Sequence, residues 1–166
     1  MTVQYPLEYL VRIKDKRLEE AERILKEKKE ELEKELEKQK TLQQQRDETK
    51  HHKQDKLNQL RATLDEGTTS DKIEIMKNYI KTVDEELKQK ERKVQEQIKK
   101  VQEAEKKVEE ARIDFLKKQQ DVEKLKTHRK EWEKEMKLLG EIEEAKETDE
   151  LGSSIHSVRK HKSKGE

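Results

Sequence analysis

Two adjacent histidines, His51 and His52, are the side chains of this chain best suited to binding a transition metal, since a neutral imidazole is a common metal ligand. Neighbouring residues on a helix point in different directions, so the two rings do not readily share one ion. The sequence contains no cysteine and no GxxxxGK[ST], GxSxG or GxGxxG motif. We therefore expect no catalytic, metal-binding or cofactor-binding residues, and we expect both histidines to face solvent.

The composition excludes an ordinary globular core. Hydrophobic residues make up 28% and charged residues 49% of the 166 residues, whereas globular chains average about 45–50% and about 25%. A chain this polar is either disordered or a coiled coil. Its net charge is +1, and its aromatic content is only 3%. Because nucleic-acid binding needs a basic face and stacking aromatics, we expect none.

Targeting and membrane-spanning segments are not visible in the sequence. The first ten residues, MTVQYPLEYL, lack the apolar stretch of a signal peptide. No apolar run approaches the roughly 20 residues that a membrane span requires. We therefore expect no membrane insertion and, by default, a cytoplasmic location.

A heptad repeat predicts the secondary structure of this chain. The apolar positions seven residues apart are Ile73, Ile80, Leu87, Val94, Val101, Val108, Phe115 and Val122. Five of the eight residues that follow them at a spacing of three are alanine or larger hydrophobes. Sustained a and d positions of this kind are typical of a coiled coil. A weaker run of the same spacing is Val11, Leu18, Leu25 and Leu32.

Turn signals divide the pattern into two helices. Helix 1 is predicted over about residues 6–64, with Pro6 in its first turn. The turn is DEGTTSD (65–71), in which Gly67 suits a left-handed C-terminal cap. Helix 2 is predicted over about residues 72–148, capped by Asp71 or Ser70.

The end of the chain changes in composition. Residues 1–150 are expected to form the coiled-coil hairpin, and residues 151–166, LGSSIHSVRKHKSKGE, are small, polar and basic. Such ends are usually disordered, so we predict a disordered basic tail. It either keeps the chain soluble or docks electrostatically.

Two helices of this kind either pair within one chain or belong to a longer rod that dimerises in parallel. In an antiparallel pair, the residue numbers of facing a and d positions sum to a constant, and a turn centred near Thr68 sets that sum near 136. The layers are then Leu60 with Met76, Leu42 with Val94, Leu32 with Ala104, Leu25 with Ala111, Ala21 with Phe115 and Val11 with Leu125. Large residues meet small ones in several layers, which fills the seam without voids. The predicted fold is all-α, a long antiparallel two-helix coiled-coil hairpin of about 90 Å.

Several positions fit this seam poorly. The lysines that fall opposite apolar positions are Lys14, Lys28 and Lys56, and Arg46 faces Lys90. Gln39 falls opposite Gln97, so the two amides are expected to pair. The stretch 43–56 contains no hydrophobe and is predicted to be the softest part of the hairpin.

Three segments carry a resemblance to a known family. They are YPLEYLVRIKDKRLEEAE (5–22), LDEGTTSDKIEIMKNYIK (64–81) and HRKEWEKEMK (128–137). They resemble the chlamydial, CdsO-type members of the YscO/FliJ family, the central stalk proteins of type III secretion and flagellar export ATPases. The resemblance covers residues 5 to about 150, and LDEGTTSD with the tryptophan segment is its specific part. The basic tail has no place in it.

The resemblance implies a non-catalytic partner of a hexameric type III secretion ATPase. The end that carries both chain termini is expected to enter the ATPase pore and promote its activity. The residues expected to bind the ATPase are Tyr9, Arg12, Lys14, Lys16, Arg17, Arg129, Lys130, Trp132 and Lys134. Trp132 also falls beside Tyr5 in the antiparallel register, so it is either the last core layer or an exposed contact for a partner.

The resemblance also implies contact with an export gate protein and with secretion chaperones, which the chain binds or escorts. The residues expected to contact the gate, chosen by their position at the turn, are Glu66, Thr68, Thr69, Met76 and Tyr79. A stalk is expected to be monomeric in isolation and to lie in the cytoplasm at the base of the secretion apparatus. The alternatives are a generic structural coiled-coil scaffold and a nucleic-acid-associated coiled coil that acts through its basic tail.

Overall fold

The computed structural model describes residues 3–165, which form two long α-helices and no β-strand. Helix α1 is Glu8–Glu66 and helix α2 is Ser70–Ser163. The two helices pack against each other in antiparallel orientation, so the predicted all-α helical hairpin is confirmed. Residues 1, 2 and 166, which belong to the predicted hairpin domain and tail, lie outside the described residues.

A turn precedes α1. The Tyr5 carbonyl accepts a hydrogen bond from the Glu8 amide at 3.2 Å, and the Leu7 carbonyl accepts one from the Val11 amide at 3.0 Å. Pro6 therefore lies just before the helix rather than inside its first turn. Its fixed φ suits this position, because a proline there removes no hydrogen bond of the helix interior.

The connection between the helices is short. Gly67 has φ of 86°, and its amide donates a hydrogen bond to the Leu64 carbonyl at 3.3 Å. Glycine adopts this left-handed conformation without the strain that a Cβ introduces. The Thr69 carbonyl accepts the hydrogen bond of the Ile73 amide at 3.2 Å, so α2 begins at Ser70 with Thr69 at the N-cap. The sequence predicts Asp71 or Ser70 at this position, and both lie inside the helix instead.

Contacts divide the chain into two units, and each unit contains a segment of both helices. One unit is Glu20–Phe115, which includes the turn. Its buried apolar side chains are Ala21, Val83, Leu87, Val94 and Val101. The four on α2 occupy a and d positions of the predicted heptad, and Val94 is fully buried. Burial of this one stripe accounts for the helix pairing, because each helix is otherwise polar.

The pairing within Glu20–Phe115 follows the register expected from the turn. Polar contacts between the helices join His52 to Tyr79 and Thr49 to Lys90. Their residue numbers sum to 131 and 139, on either side of the expected 136. Lys53 also forms an ion pair with Asp84 across the helices.

The polar layer at Gln97 differs from the prediction. Gln97 is 5% exposed, and its amide nitrogen donates to the backbone carbonyl of Glu35 at 2.9 Å and to the Glu35 carboxylate. The expected pairing of Gln97 with Gln39 is therefore wrong by one helical turn. Glu35 supplies a stronger acceptor than an amide, because its carboxylate is charged. The Gln97 amide in turn lowers the pKa of Glu35.

Polar contacts replace hydrophobic ones along the stretch 43–56. The Lys90 ammonium donates to the hydroxyl of the buried Thr49 at 2.6 Å and pairs with Glu86 at 3.1 Å. Lys53 meets Asp84 one turn further along. These bonds satisfy the polar side chains that occupy the seam where hydrophobes are missing. Whether this stretch is the softest part of the hairpin stays a prediction.

The ion pair of Lys53 with Asp84 predicts a dependence of stability on pH. The hydrogen bond from Lys53, with a further one from Lys88, lowers the pKa of Asp84 below its ordinary value of 3.8. A lowered folded-state pKa contributes stability that is present above the ordinary pKa and is lost as pH falls through the folded-state pKa. We expect Asp84→Asn to unfold at lower urea concentration than the wild type at pH 7, and the gap to close below about pH 4.

Urea unfolding at several pH values, followed by circular dichroism, checks this expectation. Glu109→Gln is the matched control, because Glu109 pairs with Arg112 on the same helix at 2.6 Å and both groups are exposed. An exposed pair within one helix contributes little to stability. If Asp84→Asn and the wild type unfold at the same urea concentration at pH 7, or if their difference widens in acid, the stabilising role of the Lys53–Asp84 ion pair is contradicted.

The C-terminal part of α2 corrects the sequence prediction. The sequence predicts that the helix ends near residue 148 and that residues 151–166 are disordered, but α2 continues to Ser163. Residues 141–151 are rich in strong helix formers and contain no proline, and Gly152 costs only about 1 kcal/mol. The last turn of α2 contains three basic residues, Lys160, His161 and Lys162. Cationic side chains at this position stabilise the helix, because they interact with the negative end of its dipole.

Neither helix, over residues 3–165, combines the length and the apolar character that crossing a membrane would require.

Candidate functional site

An aromatic cluster forms where the N-terminal turn meets α2, within the unit made of the residues up to Glu19 and those from Leu116 onward. Tyr5 is 3% exposed and shares a hydrogen bond with Nδ1 of His128. The Trp132 ring meets the Tyr5 ring edge-on, with centroids 5.3 Å apart. We call Tyr5, His128, Arg129 and Trp132 the end cluster. Edge-to-face aromatic pairs of this kind contribute about 0.5–1.5 kcal/mol beyond their burial.

Arg129 holds the end cluster together from the side. Its guanidinium lies 5.6 Å from the centroid of the Tyr5 ring. It also pairs with Glu8 of α1 at 3.0 Å and with Glu133 at 3.2 Å. A cation placed over an aromatic ring and between two carboxylates is already satisfied within its own chain.

Two of the basic residues expected to bind an ATPase are therefore occupied internally. Arg129 is one, and Lys14 is the other, since it pairs with Asp121 across the helices at 3.4 Å. The Lys14 ammonium meets Asp121 beside the buried Val122, which removes the mismatch that the sequence register predicts there. Similarly, the Lys56 ammonium lies over the Tyr79 ring at 5.6 Å, and Lys28 pairs with Glu31 at 3.3 Å.

The other basic residues of the predicted set remain available to a partner. They are exposed and form no ion pair with any described residue, and we call them the unpaired cations: Arg12, Lys16, Arg17, Lys130 and Lys134. Tyr9 of the same set is 77% exposed. The structure thus brings all nine predicted residues into one unit. It also distinguishes those that form contacts within the hairpin from those that are exposed to a partner.

An open groove borders the end cluster. Its volume is about 560 Å³, and the apolar side chains that line it include Tyr5, Trp132 and Met136. Charged side chains line it as well, among them Arg12 and Lys137. An open groove with a mixed lining is suited to another protein rather than to a small molecule, which needs deeper enclosure.

Sequence reasoning missed two residues of this site. Glu8 and His128 carry the contacts that fix Arg129 and Tyr5. The residue numbers of Glu8 and Arg129 sum to 137, one more than the sum that the turn predicts. The register therefore contains the signal for this pair.

The residues expected to contact an export gate lie around the turn. Glu66 and Thr69 are exposed, whereas Thr68 is half-buried. Met76 and Tyr79 line a groove of about 280 Å³ with four other side chains. The Tyr79 hydroxyl shares a hydrogen bond with Nε2 of His52 at 2.9 Å.

The two adjacent histidines diverge. His51 lies 3.5 Å from the Asp55 carboxylate on its own helix, and His52 reaches Tyr79 on the other helix. Within residues 3–165, no group of three or more histidine, cysteine, aspartate or glutamate side chains is arranged to hold a metal ion.

Comparisons with known proteins agree with each other. The family model described as "YscO-like protein" matches residues 2–162. A solved structure of a YscO homologue from Chlamydia trachomatis is 41% identical, with a TM-score of 0.91. The match covers 96% of this chain and 99% of that one. No curated protein matches significantly.

Proposed function

Because the chain belongs to the YscO-like family, we propose that it is the non-catalytic central stalk of a type III secretion ATPase. Family membership makes it a type III secretion-associated protein. The proposal adds that the unit carrying the end cluster enters the pore of the hexameric ATPase and promotes its activity. The observation that carries this proposal is the set of unpaired cations in the unit that carries the end cluster.

The unpaired cations support binding to an acidic surface. No ion pair with residues 3–165 neutralises their charges, so they attract a partner that supplies carboxylates and can pair with it. The end cluster of the same unit is fixed by an aromatic contact, an ion pair and a hydrogen bond. Its backbone therefore needs no ordering on docking, which removes one cost of binding.

The proposal further includes a contact between the turn and an export gate protein. We assign contact with an export gate protein to Glu66, Thr68, Thr69, Met76 and Tyr79. The groove beside Tyr79, with Ile75 68% exposed at its edge, offers apolar area for such a contact. The proposal also includes binding or escort of secretion chaperones and a cytoplasmic position at the base of the secretion apparatus.

Site-directed photocrosslinking tests the proposed function. A photoreactive phenylalanine analogue at Tyr9 or Lys16 is expected to crosslink to the ATPase of the same secretion system, and the analogue at Tyr79 to its export gate protein. The analogue at Lys106, an exposed position of α2, is the control and is expected to give neither product. Crosslinks to the ATPase from Lys106 but not from Tyr9 or Lys16 would contradict the assignment.

A further inference from the structure

The last part of α2 packs against no other helix among residues 3–165. Every residue from Lys137 to Gly165 is exposed, and we call residues 137–163 the C-terminal extension. It contains six of the fourteen large hydrophobic side chains that are exposed among the described residues. The six are Leu138, Leu139, Ile142, Leu151, Ile155 and Val158.

One face of the extension carries a short heptad stripe. Its positions alternate in steps of four and three, as a and d positions do. The stripe is Glu144, Thr148, Leu151, Ile155, Val158 and Lys162. Its three hydrophobes are 64%, 53% and 57% exposed. A lone helix gains nothing from such a stripe, whereas a second helix packed on it buries all three side chains.

The stripe is complementary to itself in antiparallel orientation. When two copies align, Leu151 faces Ile155 of the other copy, Thr148 faces Val158, and Glu144 faces Lys162. The residue numbers of each pair sum to 306, so all six positions are matched in one register. Apolar side chains occupy the centre, and an ion pair closes each end.

The distribution of charge supports the same pairing. Residues 141–150 contain six acidic residues and one lysine, whereas residues 159–164 contain four basic residues and no acidic one. An antiparallel copy places each acidic segment beside a basic one, whereas a parallel copy places like charges together. Neither Glu144 nor Lys162 forms an ion pair within residues 3–165, so both charges remain available.

We propose that the C-terminal extension docks onto the same segment of a second copy of this chain, antiparallel and in the register that pairs Leu151 with Ile155. Three apolar side chains per copy bury less than the roughly 800 Å² per partner of a stable interface. The association is therefore weak, with a dissociation constant on the order of 100 μM. The chain is a monomer at low micromolar concentration and pairs where copies are concentrated.

Sedimentation equilibrium of the full chain over roughly 5 to 500 μM tests the proposal. The average mass is expected to rise from that of a monomer, 20.0 kDa, toward twice that value. Ile155→Glu is expected to weaken the association at least about tenfold, because it places a carboxylate in the apolar centre. Leu139→Glu is the matched control, since Leu139 is 51% exposed on the same extension but lies off the stripe.

Charge reversal tests the register. Glu144→Lys and Lys162→Glu are each expected to weaken the association about tenfold, because two-fold symmetry doubles the effect of one substitution. Combining both substitutions in one chain is expected to restore it. Mixing the two single variants is also expected to restore it, since each supplies the charge that the other lacks.

Three results would overturn the proposal. They are a mass that stays at the monomer value at all concentrations, equal weakening by Ile155→Glu and Leu139→Glu, and no rescue by the double charge reversal. A monomeric chain that instead binds vesicles of phosphatidylserine through its basic residues would assign the extension to an anionic lipid surface. The outcome of these experiments does not depend on the proposed ATPase contact. The nine residues assigned to that contact all precede the C-terminal extension, and the last of them is Lys134.

Discussion

Tyr5→Ala is expected to destabilise the unit that carries the end cluster by about 3 kcal/mol, because truncating a buried aromatic side chain leaves a cavity. Tyr5 is 3% exposed and contacts His128, Trp132 and Arg129. The loss includes the edge-on ring contact and the hydrogen bond. It also releases Arg129 from its position over the ring.

Hydrogen exchange measures this effect locally. Amides of the first turns of α1 are expected to lose protection by a factor of about 100, which corresponds to the same free energy. Tyr5→Phe keeps the ring contacts and loses only the hydrogen bond to His128, so it is expected to cost about 1 kcal/mol.

Tyr9→Ala is the matched control for Tyr5→Ala. It removes the same side chain four residues later, where that side chain is 77% exposed. Its protection pattern is expected to stay that of the wild type, since removing an exposed side chain creates no cavity. Equal losses for the two variants would show that the end cluster does not hold this unit together.

Removing three of the unpaired cations is expected to reduce ATPase stimulation strongly. The variant Lys16→Ala/Arg17→Ala/Lys130→Ala keeps Lys14 and Arg129, whose ion pairs belong to the fold. Alanine is a strong helix former, so the helices are retained. Loss of electrostatic steering is expected to lower the association rate with the ATPase roughly tenfold at low salt.

The dependence on salt separates this effect from general damage. Wild-type stimulation is expected to fall as salt rises, whereas stimulation by the triple variant is expected to change little, because the charges that salt screens are gone. Lys99→Ala/Lys106→Ala/Lys107→Ala is the matched control, since it removes three exposed lysines of α2 outside the site. Unchanged stimulation by the site variant would refute the assignment of these cations.

The hairpin could be predicted because its determinants are local. Gly67 marks the turn, and the turn sets the register of facing positions. The turn predicts that the numbers of facing residues sum to about 136. The ion pair of Lys53 with Asp84 and that of Glu8 with Arg129 each have a sum of 137, one more than this value. A heptad repeat and a single turn are therefore sufficient to derive this fold.

The polar contacts of the seam could not be predicted in the same way. Gln97 donates to Glu35 rather than to Gln39, which lies one helical turn from Glu35 on α1. A side chain as long as that of glutamine can reach acceptors on either of two neighbouring turns. The choice depends on which acceptor is charged and within reach, and periodicity does not contain that information. The assignment of Lys14 and Arg129 to internal ion pairs is of the same kind.

The end of α2 could not be predicted because no described residue packs against it. Hydrophobic periodicity indicates where a helix meets a partner, and the C-terminal extension has none among residues 3–165. Its helix rests on intrinsic propensity and on the basic last turn, which contribute little per residue. Composition alone therefore indicated a disordered tail.

The proposed role as the stalk of a secretion ATPase fixes how many copies of this chain bind each hexamer. Light scattering of the chain mixed with the hexameric ATPase of the same secretion system, at low micromolar concentration, measures that number. We expect a complex of one chain with six ATPase subunits, because a central pore admits a single hairpin. A mixture that forms no complex, or that binds several chains to each hexamer, would contradict it.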